Sequence, residues 1–208
     1  MGRYIGPACK RCRRSGMKLF LKGDRCYMAK CPIEQGHSVP GDRGGRRPRL
    51  KDYGIQLQEK QRLRNMYGMR EGQFRLFFAR ALRSRGVTGE LLLQALEMRL
   101  DNIVYRMGLA PSRRAARQFV LHGHIRVNGI KVNIPSYKVK PGEVIQARET
   151  KSSREYAKVH LDAAESRGFP VWLNVNKAES KAEVLHIPTR EEIAPVVNEQ
   201  LIVELYSK

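Results

Sequence analysis

The chain has 208 residues, and its 40 Lys and Arg against 20 Asp and Glu leave a formal charge of +20, which repels itself unless an anionic partner neutralises it. Its hydrophobic content of 41% suits globular cores rather than a disordered polycation. No apolar run approaches the length of a membrane span, and the start MGRYIGPACKRCRR has no apolar stretch of the kind that directs secretion, so the expectation is a cytoplasmic protein, without membrane association, whose partner is a polyanion.

All four cysteines fall in CKRCRRSGMKLFLKGDRCYMAKC, at Cys9, Cys12, Cys26 and Cys31. A CxxC knuckle lets two thiolates reach one ion, and a second pair closes a tetrahedral site. The segment is poor in large apolar side chains, and pieces this small need a metal or disulfides to hold a fold. In a cytoplasmic protein one metal ion is favoured over two disulfides, and zinc over an iron–sulfur cluster, although four thiolates suit either. His37 is a weaker candidate for one of the four places. Neighbouring Lys10, Arg11, Arg13 and Arg14 favour the thiolate form.

The stretch PIEQGHSVPGDRGGRRPRLKDYG is rich in Gly, Pro and Arg and reads as a linker. Its Arg43, Arg46, Arg47 and Arg49 make an arm suited to folding onto nucleic acid. Arg3, Arg13, Arg14, Lys51 and Tyr53 flank that arm and join it as candidate contacts.

From about Ile55 the pattern turns helical. GQFRLFFARALRSRG puts Phe74, Phe77, Phe78, Ala81 and Leu82 on one stripe and Arg75, Arg80, Arg83 and Arg85 off it, until Gly86 ends the run. Thr88 then offers an N-cap for GELLLQALEMRLDNIVYRMG, where Leu93, Leu96, Leu100, Ile103, Val104 and Met107 keep helical spacing up to Gly108. Both stripes are core rather than chemistry.

PSRRAARQFVLHGHIRVNG is the chemically pointed stretch. Ser112 reads as an N-cap, Arg113 to His122 as a helix, and Gly123 as its left-handed C-terminal residue. Ala115, Ala116, Phe119 and Val120 share one side of the wheel; Arg113, Arg114 and Arg117 take the other. Arginine in a first turn opposes the helix dipole by about 0.3–1 kcal/mol unless an anion sits there, and phosphate is the expected anion. Charge reversal at Arg113 and Arg117 is accordingly expected to abolish RNA binding at little cost in stability. His122 and His124 are expected to face phosphate, with core packing as the alternative.

HIRVNGIKVN is then a two-residue hairpin with Asn128-Gly129 suited to a type I′ turn. That register pairs Val127 with Ile130, Arg126 with Lys131 and Ile125 with Val132, the apolar residues sharing one face. SYKVKPGEVIQA repeats the alternation around Pro141-Gly142, with Tyr137 and Val139 facing opposite to Lys138 and Lys140. The expected architecture is α+β: a metal-stapled N-terminal appendage, a helical domain, and a small module of short helices packed on a mostly antiparallel sheet. Ser112, Arg113, Arg114, Arg117, His122, His124, Arg126, Asn128 and Lys131 are the module's candidate contacts.

RLDNIVYRMGLAPSRRAARQFVLHGHIRVNGIKVNIPSYKVKPGEVI closely resembles the RNA-binding module of the small-subunit ribosomal protein S-four family, and GRYIGPACKRCRR with PVVNEQLIVELYSK resembles the two ends of its bacterial members. Pro111, Phe119 and Leu121 depart from the residues usual there. The resemblance covers nearly the whole chain. It implies a four-cysteine segment with a basic linker over 1–45, a helical domain over 46–92 completed by 193–208, and an inserted domain over 93–192 containing the module at about 99–160. It also implies a primary binder of small-subunit rRNA that nucleates subunit assembly, recognises a multi-helix junction by shape and phosphate contacts, and stands near the mRNA entrance beside neighbouring ribosomal proteins, where decoding accuracy is set.

The competing class is an RNA pseudouridine synthase carrying the same module. RLD at Arg99 to Asp101 superficially resembles the motif with the catalytic aspartate of those enzymes, but the remaining sequence supplies no substantial catalytic domain and no small-molecule substrate site. Residues 151–208 carry 8 basic and 9 acidic side chains, against 32 and 11 in the rest. Glu179, Glu183, Glu191, Glu192 and Glu204 would meet phosphate only at a cost, so this segment is expected to contact protein.

Overall fold

The computed structural model describes residues 4–41, 50–193 and 197–207. The chain divides into two compact units, Met1–Leu91 with Pro195–Lys208, and Leu92–Ala194.

In the first unit, α1 (Ala8–Ser15) starts after Pro7 and stops where Gly16 turns left-handed. A short 3-10 turn at Gly23–Cys26 follows. α2 (Asp52–Met66) and α3 (Glu71–Arg83) come next, and the last helix of the chain, Glu199–Tyr206, packs on α2. Asn198 caps that last helix through the Gln200 N–H at 3.0 Å, while its own N–H donates to Glu59 Oε2 at 3.2 Å. Tyr206 stacks on Phe78 at 4.5 Å, and its hydroxyl donates to Glu71 Oε1 at 2.8 Å. Burial, then the Glu71 carboxylate, drives the Tyr206 pKa far up. Phe74, Phe78 and Ala81 bury as the stripe predicts, but Leu82, in the last turn of α3, is 57% exposed.

The predicted single helix from Thr88 to Met107 is two, α4 (Thr88–Glu97) and α5 (Leu100–Arg106). The break has a physical cause. The N–H groups of Leu100 and Asp101 donate to the carbonyls of Tyr137 and Pro135 at 2.9 and 3.1 Å, and Arg99 forms a bridge with Lys138. The strand-like stretch around Val139 thus satisfies the start of α5 instead of joining the sheet.

α6 (Arg113–Leu121) leads into β1 (Ile125–Val127), β2 (Ile130–Lys131) and β3 (Val144–Ala147). α7 (Lys151–Glu165), β4 (Leu173–Asn176) and β5 (Lys181–Val184) complete the second unit, and α8 is the Glu199–Tyr206 helix of the first. The sheet order is β2-β1-β3-β5-β4, and every pairing is antiparallel. Ile103, Val104, Val120, Ile125, Ile145 and Trp172 sit in one buried core. Ile130 shares the face of Val127 yet is 72% exposed, because β2 is the sheet edge and none of the described residues covers it.

Candidate nucleic-acid interface

The arginines of α6 are placed by its N-terminus. Ser112 Oγ accepts from the Ala115 N–H at 3.3 Å, satisfying one of the orphan donors of the first turn. Arg113 folds back: its Nε donates to Asn102 Oδ1 at 2.7 Å, and its guanidinium lies 4.7 Å from the centroid of the Tyr105 ring and 3.9 Å from Glu97 Oε1. Glu97, 1% exposed, also receives Arg106 through both oxygens at 2.7 and 3.0 Å. One turn further, Arg117 Nη1 donates to Asp101 Oδ2 at 3.1 Å, and the same carboxylate holds buried Arg99 in a bidentate pair at 2.9 and 3.1 Å.

These contacts correct the reading of a wholly outward cationic face. The anions that make first-turn arginine tolerable include Glu97 and Asp101 of the protein itself. Arg113 and Arg117 are half-buried, whereas Arg114 is exposed. Asp101, the residue of the RLD motif, is occupied by two guanidinium groups.

The hairpin forms in the predicted register, Val127↔Ile130 and Arg126↔Lys131. Asn128 and Gly129 take φ of 49° and 79°, the double left-handed geometry of a type I′ turn. Asn128 Oδ1 accepts from the Val144 N–H, and its own N–H donates to the Val144 carbonyl, both at 2.8 Å. Its side-chain oxygen therefore ties β1 to β3, while the exposed residue keeps its amide N–H groups for an RNA contact. Arg126 and Lys131 face each other with no carboxylate in ion-pair range among the described residues. Gly123, at φ 72°, leaves room for the Lys131 side chain, whose Cε would collide with any Cβ there. Lys138, Lys140 and Arg148 are further exposed cations of this unit; the alternation with Val139 marks the two lysines in the sequence, and nothing local marks Arg148.

The histidines part company. His122 is exposed, while His124 is half-buried, shares a hydrogen bond at 2.9 Å between Nδ1 and Ser153 Oγ, and stacks on Phe119 at 4.8 Å. Burial, then His122 and Arg148, pushes the His124 pKa down, so the expected phosphate-facing cation is a packed, neutral ring. Beside it lies a cavity of about 340 Å³ lined in part by Phe119, His122, His124, Ser153 and Tyr156. Ser153 and Tyr156 come from α7, a helix in which sequence reasoning singled out no residue.

In the first unit Arg13 Nη1 donates to the Ser38 carbonyl at 3.0 Å, and Arg14, Lys51 and Tyr53 are exposed. Arg3, Arg43, Arg46, Arg47 and Arg49 lie outside the described residues. Cys9, Cys12, Cys26 and Cys31 are all unbridged, and the last three are buried. Among the described residues no three metal-ligating side chains are arranged to hold an ion. The four thiols nevertheless lie within electrostatic reach of one another: burial pushes the Cys12 pKa up and the other three cysteines add to it. Burial pushes the Cys26 pKa up as well, partly offset by the Lys22 N–H that its Sγ accepts at 3.3 Å, so both thiols are held against ionisation unless an ion binds them. The donor chemistry fits a soft divalent metal.

The family described as Ribosomal protein S4/S9 N-terminal domain matches residues 3–97, and S4 domain matches residues 98–145. The chain is 51% identical over 208 residues, the full length of both proteins, to the small ribosomal subunit protein uS4 of Acidithiobacillus ferrooxidans. It is 52% identical, again at full length, to uS4 of Thermodesulfovibrio yellowstonii. With uS4A of Symbiobacterium thermophilum it shares 54% over 209 aligned residues, also the whole of both chains.

Proposed function

The chain belongs to the small ribosomal subunit protein uS4 family, and from that premise we propose how it engages RNA. Membership makes it a structural protein of the small ribosomal subunit, in the cytoplasm, that binds the subunit's RNA beside neighbouring ribosomal proteins; it is not an enzyme. The observation that carries the finer reading is the split of cations in the second unit. Arg113 and Arg117, half-buried against carboxylates, fix α6 in place and present what remains of their charge along it. Arg114, Arg126, Lys131, Lys138 and Lys140 form the outer set that meets phosphates, with the basic arm of residues 43–49 adding to them. Phosphate contacts position a protein on RNA, and shape decides which RNA accepts it.

On this reading the protein joins the RNA early, holds a multi-helix junction for assembly, and stands near the mRNA entrance, where it supports decoding accuracy. Residues 151–208, with their balanced charge, contact neighbouring proteins more than RNA. Filter binding to small-subunit rRNA across a salt series tests the core of it. Tight binding with a steep salt slope and preference over large-subunit rRNA is expected; equal affinity for both RNAs at moderate salt would overturn it.

The N-terminal thiols hold one zinc ion on the same reading. Support comes from the CxxC spacing, from four unbridged thiols in mutual electrostatic reach and from the Lys22 N–H on Cys26. When bound, zinc supplies a cross-link to a segment with little apolar surface of its own. Native mass spectrometry should find one ion, lost to a chelator that leaves four alkylatable thiols. Two intact disulfides would overturn it, and a coloured, iron-containing protein would replace zinc with a cluster.

A further inference from the structure

We propose that the cleft between the C-terminal half of α6 and the first turns of α7 receives a single unpaired RNA base. The inference rests on the rRNA-binding reading above and adds to it a contact of another kind, stacking rather than phosphate neutralisation.

The cavity measures about 340 Å³, at the small end of ligand pockets. Its walls are rings. Phe119 stacks with Tyr156 at 4.9 Å and with His124 at 4.8 Å, and the His122 centroid is 6.1 Å from that of His124. An aromatic cluster serving the core alone would be closed to water, as Phe119 is at 7% exposure, yet Tyr156 is 36% exposed and His122 is open. Flat rings with solvent access are the surfaces on which unpaired bases stack.

Polar groups in the lining divide into used and unused. Ser153 Oγ is engaged by His124 at 2.9 Å and by Thr150 at 2.7 Å, so it holds the imidazole in place. Gln118 and Ser152 also line the cavity, and both are exposed. An amide and a hydroxyl each offer a donor and an acceptor, which is what the edge of a base requires. The depressed pKa of His124 keeps its ring uncharged near neutrality, as a stacking surface should be.

Charge selects RNA over a peptide as the occupant. None of the described residues lining the cavity is acidic. Of the cations, Arg148 lies within electrostatic reach of the lining His124 and its N–H donates to the His124 carbonyl at 2.7 Å, while Lys151 and Glu155, sequence neighbours of the lining Ser152 and Tyr156, offset each other in charge. A base entering the cleft brings its phosphates towards Arg148.

Tyr156→Leu and Tyr156→Phe in the full chain test the proposal, with a small-subunit rRNA fragment that the parent binds as the probe. Tyr156→Leu should weaken binding roughly 5- to 100-fold, the range of one lost base–aromatic stack, with the salt slope unchanged and a melting temperature lowered only slightly, by the lost stack on Phe119. Tyr156→Phe, which keeps the ring, should bind as the parent does. Ultraviolet cross-linking of the assembled subunit should place a nucleotide on Tyr156 or His122. Equal affinity of parent and Tyr156→Leu, or adducts from these residues to a neighbouring protein alone, would overturn the base site and leave the rRNA reading standing. A parent that shows no preference for small-subunit rRNA would overturn both.

Discussion

The arginines at the start of α6 and the cations of the β1–β2 hairpin lie in the same unit and differ in what balances them. Arg113 and Arg117 reach Glu97 and Asp101, carboxylates that are 1% and 6% exposed. Arg126 and Lys131 oppose each other across two strands with no counter-charge among the described residues. In the first pair charge has been spent on the fold: each guanidinium locks α6 to α5 or to the end of α4. In the second, charge is a burden to the free protein and waits for a partner. Equal formal charge on a sequence wheel therefore says little about RNA contact until the carboxylates are located.

The largest expected effect tests the inner pair. Arg113→Glu with Arg117→Glu takes one arginine each from Glu97 and Asp101, which keep Arg106 and Arg99, and sets new anions beside them. A buried charge left wholly unpaired costs about 3–5 kcal/mol; with Arg106 and Arg99 still in place the cost comes from the new like-charge contacts, so denaturant unfolding should show a clear loss below that range, and RNA binding should fail because α6 is no longer held. This reverses the expectation of little stability loss drawn from the helix wheel. An unchanged unfolding midpoint with lost RNA binding would restore the inner arginines as an outward phosphate face.

What was legible in the sequence is what short-range chemistry decides. Ser112 as cap, Gly123 as the left-handed end, and Asn128-Gly129 with its register follow from residues two or three positions apart. The pairing of Glu97 and Asp101 with α6 was not legible because it depends on how two helices pack, with Asp101 and Arg117 16 residues apart. The division of α4 from α5 escaped periodicity for a like reason: the groups that end the helix are carbonyls at Pro135 and Tyr137. β5 and β4 extend the sheet from a segment where charge balance was the one signal read. Ile130 shows the limit of alternation, which assigns a face but not whether another layer covers it.

A smaller effect comes from His124, whose neutral ring is packed on Phe119 and joined to Ser153. Its folded pKa lies below the ordinary value of 6.5, from burial and then from His122 and Arg148. Below that ordinary value the unfolded chain binds a proton that the folded one refuses, so stability is present above about pH 6.5 and is lost as pH falls through the lowered pKa. Thermal melts from pH 7.5 down to 5 should show this loss in the parent and a flatter profile in His124→Gln. An NMR titration that places His124 at or above the ordinary histidine value would remove the cause.

The smallest effect, and the sharpest test of the comparison, is Arg126→Thr in the hairpin. Like charges directly opposed on antiparallel strands destabilise a sheet by about 0.2–1 kcal/mol, and threonine suits a strand better than arginine does. The free protein should therefore melt at the same temperature or slightly higher. The Lys131 stem passes over Gly123, and one cation of the facing pair remains. RNA affinity should then fall modestly, and the slope of log affinity against log salt should become shallower by up to about one counterion. The opposite pattern identifies a structural pair: a lower melting temperature with unchanged slope would mean that the arginine stem packs on the strand and its charge splays into water, as long side chains on sheet edges can. Because the inner-pair variant is expected to lose stability first and this one to lose only RNA, the two measured side by side separate charge used to build the module from charge held for its partner.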